Sequence, residues 1–130
     1  MKKTTIKGIG NDIIEVDRIR KTILRYGNHF FKKILTEKEI DYCLRHQDPV
    51  LLISGRFSAK EAIAKALGTG FGHLLSWLDI EILNDKAGKP IVSFSDGAKT
   101  QFQSPTILVS ISHCKTYATA FAIWIDETTK

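Results

Sequence analysis

The sequence contains only two cysteines, Cys43 and Cys114, and they stand far apart with no CxxC pair. We therefore expect neither a zinc site nor a redox-active pair, and we predict two reduced thiols. No apolar run approaches the roughly 20 residues that span a bilayer. The N-terminal segment has two lysines but lacks the apolar stretch of roughly 7–15 residues that a signal peptide requires. These absences predict a cytoplasmic protein that has no membrane partner.

Blocks of lysine and RGG repeats are also missing, and the phenylalanines are not interleaved with basic residues as in RNA-stacking motifs. The net charge is nevertheless +5 over 130 residues. A basic surface attracts anions: nucleic acid, a membrane, a phosphorylated small molecule or an acidic protein. Charge alone does not choose among these partners, but the missing motifs make nucleic acid a weak candidate, and we expect no nucleic-acid partner.

Repeats, low-complexity segments and long linkers are missing as well, which predicts a single domain over residues 1–130. Periodicity and turn residues predict, in chain order, a strand at 6–10, a helix at 15–26, a short apolar piece at 30–35, helices at 36–45 and 50–67, and strands at 79–83, 91–94, 106–112 and 118–125. Thr36 and Glu39 match a capping box that opens the helix at 36–45. Helices come first and strands cluster late, without βαβα alternation. The pattern predicts an α+β fold with N-terminal helices and a mainly antiparallel sheet.

The segment GRFSAKEAIAKALGTG, residues 55–70, contains the helix face on which we expect the main functional residues. On a helical wheel its small and apolar residues share one side, which suits close packing: Ala59, Ala62, Ile63, Ala66 and Leu67. Glu61, Lys65 and Gly68 fall within about 60° of one another on the other side. The glycines after Lys65 allow a phosphate to approach the backbone. Two simpler interpretations stay open: an exposed Glu61–Lys65 pair, and a capping box from Ser58 to Glu61.

Asp12 and His113 are two further candidates. Asp12 follows the strand end Gly-Ile-Gly, where it could cap the helix that begins near Glu15 or could bind a metal. Together with Glu61 it would supply the two carboxylates that a magnesium site commonly takes from a protein. His113 ends an apolar strand and could equally be a turn residue. Its neighbour Ser112 does not make a nucleophile–base pair with it, because adjacent strand residues point to opposite faces.

Four segments in chain order resemble the holo-acyl-carrier-protein synthase family, the small bacterial 4′-phosphopantetheinyl transferases: GIGNDIIEVDRI, GRFSAKEAIAKALGTG, DIEILNDKAGKP and VSISHCKTYATAFA. The resemblance extends over residues 6–123. It implies the 4′-phosphopantetheinyl transferase-like fold. It also implies transfer of the phosphopantetheine arm of coenzyme A to a serine of apo acyl carrier protein in fatty-acid biosynthesis, with release of adenosine 3′,5′-bisphosphate.

The resemblance implies a role for each residue that matches a family motif. Asp12 and Glu61 match magnesium ligands, although Mn²⁺ also suits such an oxygen site. Lys65 matches the lysine that contacts the coenzyme A phosphates, and these three are the implied catalytic residues. The other positions implied to line the coenzyme A site are Gly68, Pro90 and His113.

The resemblance also implies partners. Arg18 and Arg25 fall on the helix that family members present to the acidic acyl carrier protein. The family forms homotrimers with the coenzyme A site between subunits, so we expect each chain to hold only part of a site. Ala64, Asn11 and His29 depart from residues common in the family, and we expect these differences to tune affinity and leave the reaction unchanged.

Three alternatives remain at this point. A small basic module could bind nucleic acid through the basic residues at positions 18, 20, 21 and 25. A different magnesium-dependent phosphate enzyme, such as a nucleotide hydrolase, would act without any carrier protein. An inactive relative could serve as an interaction subunit.

Overall fold

The computed structural model describes residues 2–129. The helices in this range are α1 (Val16–Tyr26), α2 (Asn28–Ile34), α3 (Glu37–Leu44), α4 (Pro49–Leu67) and α5 (Asp96–Phe102), with a 3₁₀ turn at Trp77–Asp79. The strands are β1 (Lys2–Glu15), β2 (Ile80–Asn84), β3 (Pro90–Phe94), β4 (Thr106–His113) and β5 (Tyr117–Thr129). They form a three-stranded sheet in the order β1-β5-β4 and a separate β2-β3 hairpin, both antiparallel. The predicted α+β class is confirmed.

Strand β1 is longer than the sequence predicts. It was expected to end at Gly10, but it continues to Glu15 because β5 pairs with it along this whole length. Asp12 lies opposite Ala120 in this ladder. Asp12 is therefore a strand residue, and the prediction that it follows the end of the strand is wrong.

Helix α4 packs directly on β1, and two glycines of the strand permit this contact. A Cβ atom on Gly8 would collide with the backbone oxygen of Ala66. One on Gly10 would collide with the backbone oxygen of Ala62 and lie 2.9 Å from Cβ of Lys65. The small residues of α4 predicted to suit close packing are buried in this contact and its surroundings. The strand backbone is thereby held against the helix that carries Glu61 and Lys65.

Two helices were not predicted. The apolar piece at 30–35 is largely the helix α2, which follows α1 after Gly27, whose φ of 54° turns the chain. Helix α5 begins after Ser95, whose side chain accepts a hydrogen bond from the backbone N–H of Ala98. The capping box predicted at Thr36 is confirmed, with the side chains of Thr36 and Glu39 each accepting a backbone hydrogen bond of the other residue.

A fully buried ion pair joins α4 to the other helices. The Lys60 ammonium lies 2.7 Å from a carboxylate oxygen of Glu39, and it also donates to the backbone oxygens of Ile34 and Trp77. The second carboxylate oxygen of Glu39 accepts from the backbone N–H of Ile82. Burial lowers the pKa of Lys60, an effect that the Glu39 charge opposes. The network holds α2, α3 and the 3₁₀ turn to the residue that precedes Glu61.

Two other expectations from composition can be compared with the structure. Both cysteines are free, as predicted, and the structure places Cys43 in the interior and Cys114 at the surface. Among residues 2–129, the helices are too short or too polar to cross a membrane.

Candidate active site

Asp12 is held where β1 crosses helix α4. Its backbone oxygen accepts hydrogen bonds from the hydroxyls of Ser58, at 3.0 Å, and Thr119, at 2.8 Å. Its side chain is 17% exposed. Helix α1 begins only after Glu15, so the alternative that Asp12 caps this helix is wrong. Ser58 lies inside α4, and the capping box proposed between Ser58 and Glu61 is therefore also wrong.

Lys65 reaches across to the same part of β1. Its ammonium lies 2.9 Å from the backbone oxygen of Asn11 and 3.3 Å from a carboxylate oxygen of Asp12. The side chain remains 53% exposed. The acid that Lys65 contacts is thus Asp12 on the strand, and not Glu61 in its own helix, as the simpler interpretation proposed. The ammonium is held by these two contacts and is still exposed, so it can also bind a phosphate.

Glu61 completes what we call the carboxylate–lysine cluster, which consists of Asp12, Glu61 and Lys65. Partial burial raises the pKa of Glu61, the Asp12 charge raises it further, and the Lys65 charge opposes both effects. Two carboxylates that repel each other beside open solvent are a donor set that fits a hard divalent cation. In the part of the chain that the structure describes, no group of three or more His, Cys, Asp and Glu side chains could hold a metal ion. A cation bound here would complete its shell with water and substrate phosphates.

Gly68 ends α4 next to this cluster. It adopts the left-handed conformation with φ of 83°, and its N–H bonds the backbone oxygens of Ala64 and Lys65. Gly70 also has a positive φ, of 62°. Among the described residues, no atom lies within 4 Å of where a Cβ would stand on Gly68, Gly70 or Gly72. We call residues 68–72 the glycine segment; it presents open backbone beside Lys65.

Pro90 and His113 lie together in a different place. They line a cavity of about 280 Å³ with Arg56, Asn84 and Gly88, which we call the Pro90–His113 cavity. The Arg56 guanidinium is fixed there by hydrogen bonds to the backbone oxygen of Ile82 and the side-chain oxygen of Asn84. It also packs over the ring of Tyr42, 4.8 Å from the centroid. Sequence reasoning missed Arg56, although it stands only five positions before Glu61.

The carboxylate–lysine cluster and the Pro90–His113 cavity lie at different parts of α4 and share no residue. Glu61 and Lys65 are in the second half of the helix. The α4 residues that line the cavity are in its first half, at positions 51, 52, 55 and 56. The structure therefore brings Asp12, Glu61, Lys65 and Gly68 together but does not add Pro90 or His113 to them within one chain.

An apolar cavity that was not predicted lies one turn from Glu61. It has a volume of about 460 Å³, and its walls include Tyr26, His29, Phe30, Ile34, Phe57 and Trp77. We call it the aromatic cavity. Phe57 precedes Glu61 by four residues, about 6 Å along the helix. Arg18 and Arg25 are exposed on α1, which also contributes to the cavity wall.

Several exposed apolar side chains lie on the outer face of the three-stranded sheet. On β1, Ile9 is 60% and Ile13 is 64% exposed, and on β5 Phe121 is 43% exposed. Leu108 of β4 lies exposed on the same face by strand alternation. Polar residues interrupt the apolar area, as Asn11 does beside Phe121, but exposed apolar side chains grouped on one face are suited to contact with a partner.

Comparison with known proteins identifies the family. A sequence model of the 4′-phosphopantetheinyl transferase superfamily matches residues 8–122. A holo-[acyl-carrier-protein] synthase of Protochlamydia amoebophila is 56% identical over 117 residues, which cover 90% of this chain and 96% of that protein. Two crystal structures of such synthases are also similar. That from Bacillus anthracis, in complex with CoA (3′,5′-ADP), has a TM-score of 0.80 and 40% identity, covering 92% of this chain and 96% of its own.

The second crystal structure, from Helicobacter pylori and in complex with coenzyme A, has a TM-score of 0.81 and 34% identity, covering 89% of this chain and 98% of its own. The fold that the resemblance implied is therefore confirmed. The chain belongs to the 4′-phosphopantetheinyl transferase superfamily, within its holo-[acyl-carrier-protein] synthases.

Proposed function

We propose that this chain transfers the 4′-phosphopantetheine moiety of coenzyme A to a serine hydroxyl of apo acyl carrier protein. The products are holo acyl carrier protein and adenosine 3′,5′-bisphosphate, and the pathway is fatty-acid biosynthesis. The observation that carries the proposal is the carboxylate–lysine cluster one helical turn from the aromatic cavity. This arrangement offers phosphate chemistry and a protein-docking surface side by side. The names of the relatives agree with it.

The residues of the cluster have distinct roles in this proposal. Asp12 and Glu61 would hold Mg²⁺, or Mn²⁺ in its place, through their carboxylates. A metal ion held there would supply positive charge to neutralise the pyrophosphate. Lys65 contacts the coenzyme A phosphates and stabilises the negative charge that accumulates on the leaving bisphosphate. The hydrogen bonds from Ser58 and Thr119 to Asp12 keep the strand in position during this step.

The carrier docks on α1 and the aromatic cavity. Arg18 and Arg25 attract the acidic carrier, and exposed arginines of this kind raise the rate of association. The cavity then receives an apolar side chain of the carrier, with Phe57 and Trp77 as its walls. Because Phe57 is one turn from Glu61, a carrier seated there brings its serine close to the phosphate-binding side of α4.

The active assembly is a homotrimer, in which the outer sheet face is the contact between copies. Burial of Ile9, Ile13 and Phe121 would remove exposed apolar area from water. Contact between copies would also bring the carboxylate–lysine cluster of one subunit close to the Pro90–His113 cavity of another. Coenzyme A that binds Lys65 and Gly68 of one subunit would meet Pro90 and His113 of the next. The whole of residues 1–130 acts as one domain, and the enzyme works in the cytoplasm.

Release of adenosine 3′,5′-bisphosphate tests the proposed function against its rivals. The protein is incubated with Mg²⁺ and coenzyme A, with or without apo acyl carrier protein, and the nucleotides are separated by chromatography. We expect release only when both substrates are present. Release without the carrier indicates a nucleotide hydrolase, and no release under either condition indicates a binding module or an inactive relative.

A further inference from the structure

Trp77 stands between the aromatic cavity and the glycine segment. Its ring forms part of the cavity wall beside Phe57, with ring centroids 4.9 Å apart. It also stacks on Phe71, which lies inside the glycine segment, with centroids 4.0 Å apart and planes inclined by 15°. Stacking of two rings at this distance is a direct and specific contact. One side chain thus contacts both of the surfaces to which the proposed function assigns a substrate.

The backbone of Trp77 is held by a buried side chain, whereas the glycines of the glycine segment have free space beside them. The Trp77 backbone oxygen accepts a hydrogen bond of 3.1 Å from the buried ammonium of Lys60. The segment itself is held by backbone hydrogen bonds from its three glycines, to Ala64, Lys65 and Leu75, and by the stack of Phe71 on Trp77. Glycine loses more conformational freedom on ordering than any other residue. A contact that restrains Phe71 therefore also restrains the backbone beside Lys65.

We propose that Trp77 is a positioning residue that couples carrier binding to coenzyme A binding through its stack on Phe71. This inference rests on the proposed function. A carrier side chain in the aromatic cavity immobilises the Trp77 ring, which restrains Phe71 and orders the glycine segment for the phosphates. The ligand that binds second then loses less conformational entropy, so each substrate tightens the other.

The coupling is measured as a ratio of two dissociation constants by titration calorimetry. Coenzyme A is titrated into the protein alone, and into the protein saturated with a recombinant bacterial apo acyl carrier protein whose acceptor serine is replaced by alanine. We expect the carrier to tighten coenzyme A binding about five-fold or more in the wild type. In Phe71→Leu the ratio of the two dissociation constants falls to about one.

Phe102→Leu is the matched control, because Phe102 also packs against a tryptophan, Trp124, but lines neither the aromatic cavity nor the glycine segment. It keeps the wild-type ratio. If Phe71→Leu does not fold, Trp77→Phe, which keeps a smaller ring, is measured and shows a reduced ratio. A ratio of one in the wild type, or a wild-type ratio in the Phe71 or Trp77 variant, overturns the coupling. If the wild type shows no coupling but still transfers phosphopantetheine, only this inference fails; if it binds neither substrate, the proposed function fails with it.

Discussion

The ammonium of Lys65 lies 3.3 Å from the carboxylate of Asp12, a residue 53 positions away in the sequence. The contact crosses from helix α4 to strand β1 at the point where Gly10 allows the two to touch. It defines the candidate site, because it places the lysine ammonium and two carboxylates in one small region at the surface. The predictions below follow from this arrangement and from the parts of the molecule that support it.

Mixing two inactive variants tests whether the site lies between subunits. Lys65→Met removes the phosphate contact that we propose for the carboxylate–lysine cluster, and His113→Ala alters the Pro90–His113 cavity. We expect each variant alone to be strongly impaired. Trimers formed from an equal mixture, unfolded and refolded together, should recover roughly a quarter of the wild-type rate, since a quarter of their contacts join two intact halves.

The control for this experiment combines Lys65→Met with Glu61→Gln. Both changes lie in the same cluster, so no contact in the mixed trimers contains an intact site, and we expect no recovery. Equal recovery in both mixtures, or none in either, would contradict a site shared between subunits.

Removal of one carboxylate should abolish most of the activity, because we propose that both carboxylates bind the metal ion. We expect Asp12→Asn and Glu61→Gln each to lower kcat/KM by roughly 100-fold or more, because ligand loss is at least as severe as loss of a supporting hydrogen bond. Both should also weaken Mn²⁺ binding, measured by electron paramagnetic resonance. Asp17→Asn, which affects an exposed pair with Lys21, should match the wild type in both measurements. Full Mn²⁺ affinity in Glu61→Gln would show that the assigned ligands are wrong.

Two glycine substitutions should have opposite effects on stability, because only one of the two glycines lies in the close contact between β1 and α4. Gly10→Ala should destabilise the protein by at least about 1–3 kcal/mol, since its methyl group collides with backbone atoms of α4. Gly97→Ala lies in the open in helix α5 and should stabilise it by up to about 1 kcal/mol. Thermal denaturation followed by circular dichroism measures both. A Gly10→Ala protein as stable as the wild type would contradict the packing described here.

The two cysteines should differ in reactivity. Hydrogen bonding to Thr116 lowers the pKa of exposed Cys114, whereas burial raises the pKa of Cys43 to about 11. The thiolate is the reactive form, so alkylation of Cys114 by iodoacetamide should already be appreciable at neutral pH. Cys43 should react only after denaturation. Peptide mass spectrometry after timed labelling distinguishes them, with Cys114→Ser as the control; labelling of native Cys43 at a similar rate would refute this assignment.

Part of the site could be predicted because its residues share one local pattern. Glu61, Lys65 and Gly68 recur at helical spacing, so a wheel places them on one face of α4 without knowledge of the fold. The capping box at Thr36 was visible for the same reason, since it depends on residues only three apart. The resemblance to a known family added Asp12, which local pattern alone would have assigned to a helix cap.

The rest depended on contacts distant in sequence. Lys60 stands next to Glu61 and looks like another surface charge, but its partner Glu39 lies on a different helix, and the pair is fully buried. Strand β1 passes through Asp12 because β5 pairs with it and because Gly10 faces α4, neither of which hydrophobic alternation can reveal. The aromatic cavity likewise assembles Phe57 and Trp77 from separate elements.

The mass of the carrier protein tests the central claim most directly. Apo acyl carrier protein is incubated with coenzyme A, Mg²⁺ and the wild-type protein or Glu61→Gln, and its intact mass is then measured. We predict that the wild type adds one phosphopantetheine to the carrier, at a serine located by peptide fragmentation, and that Glu61→Gln adds it far more slowly. A carrier of unchanged mass after prolonged incubation with the wild type would contradict the account.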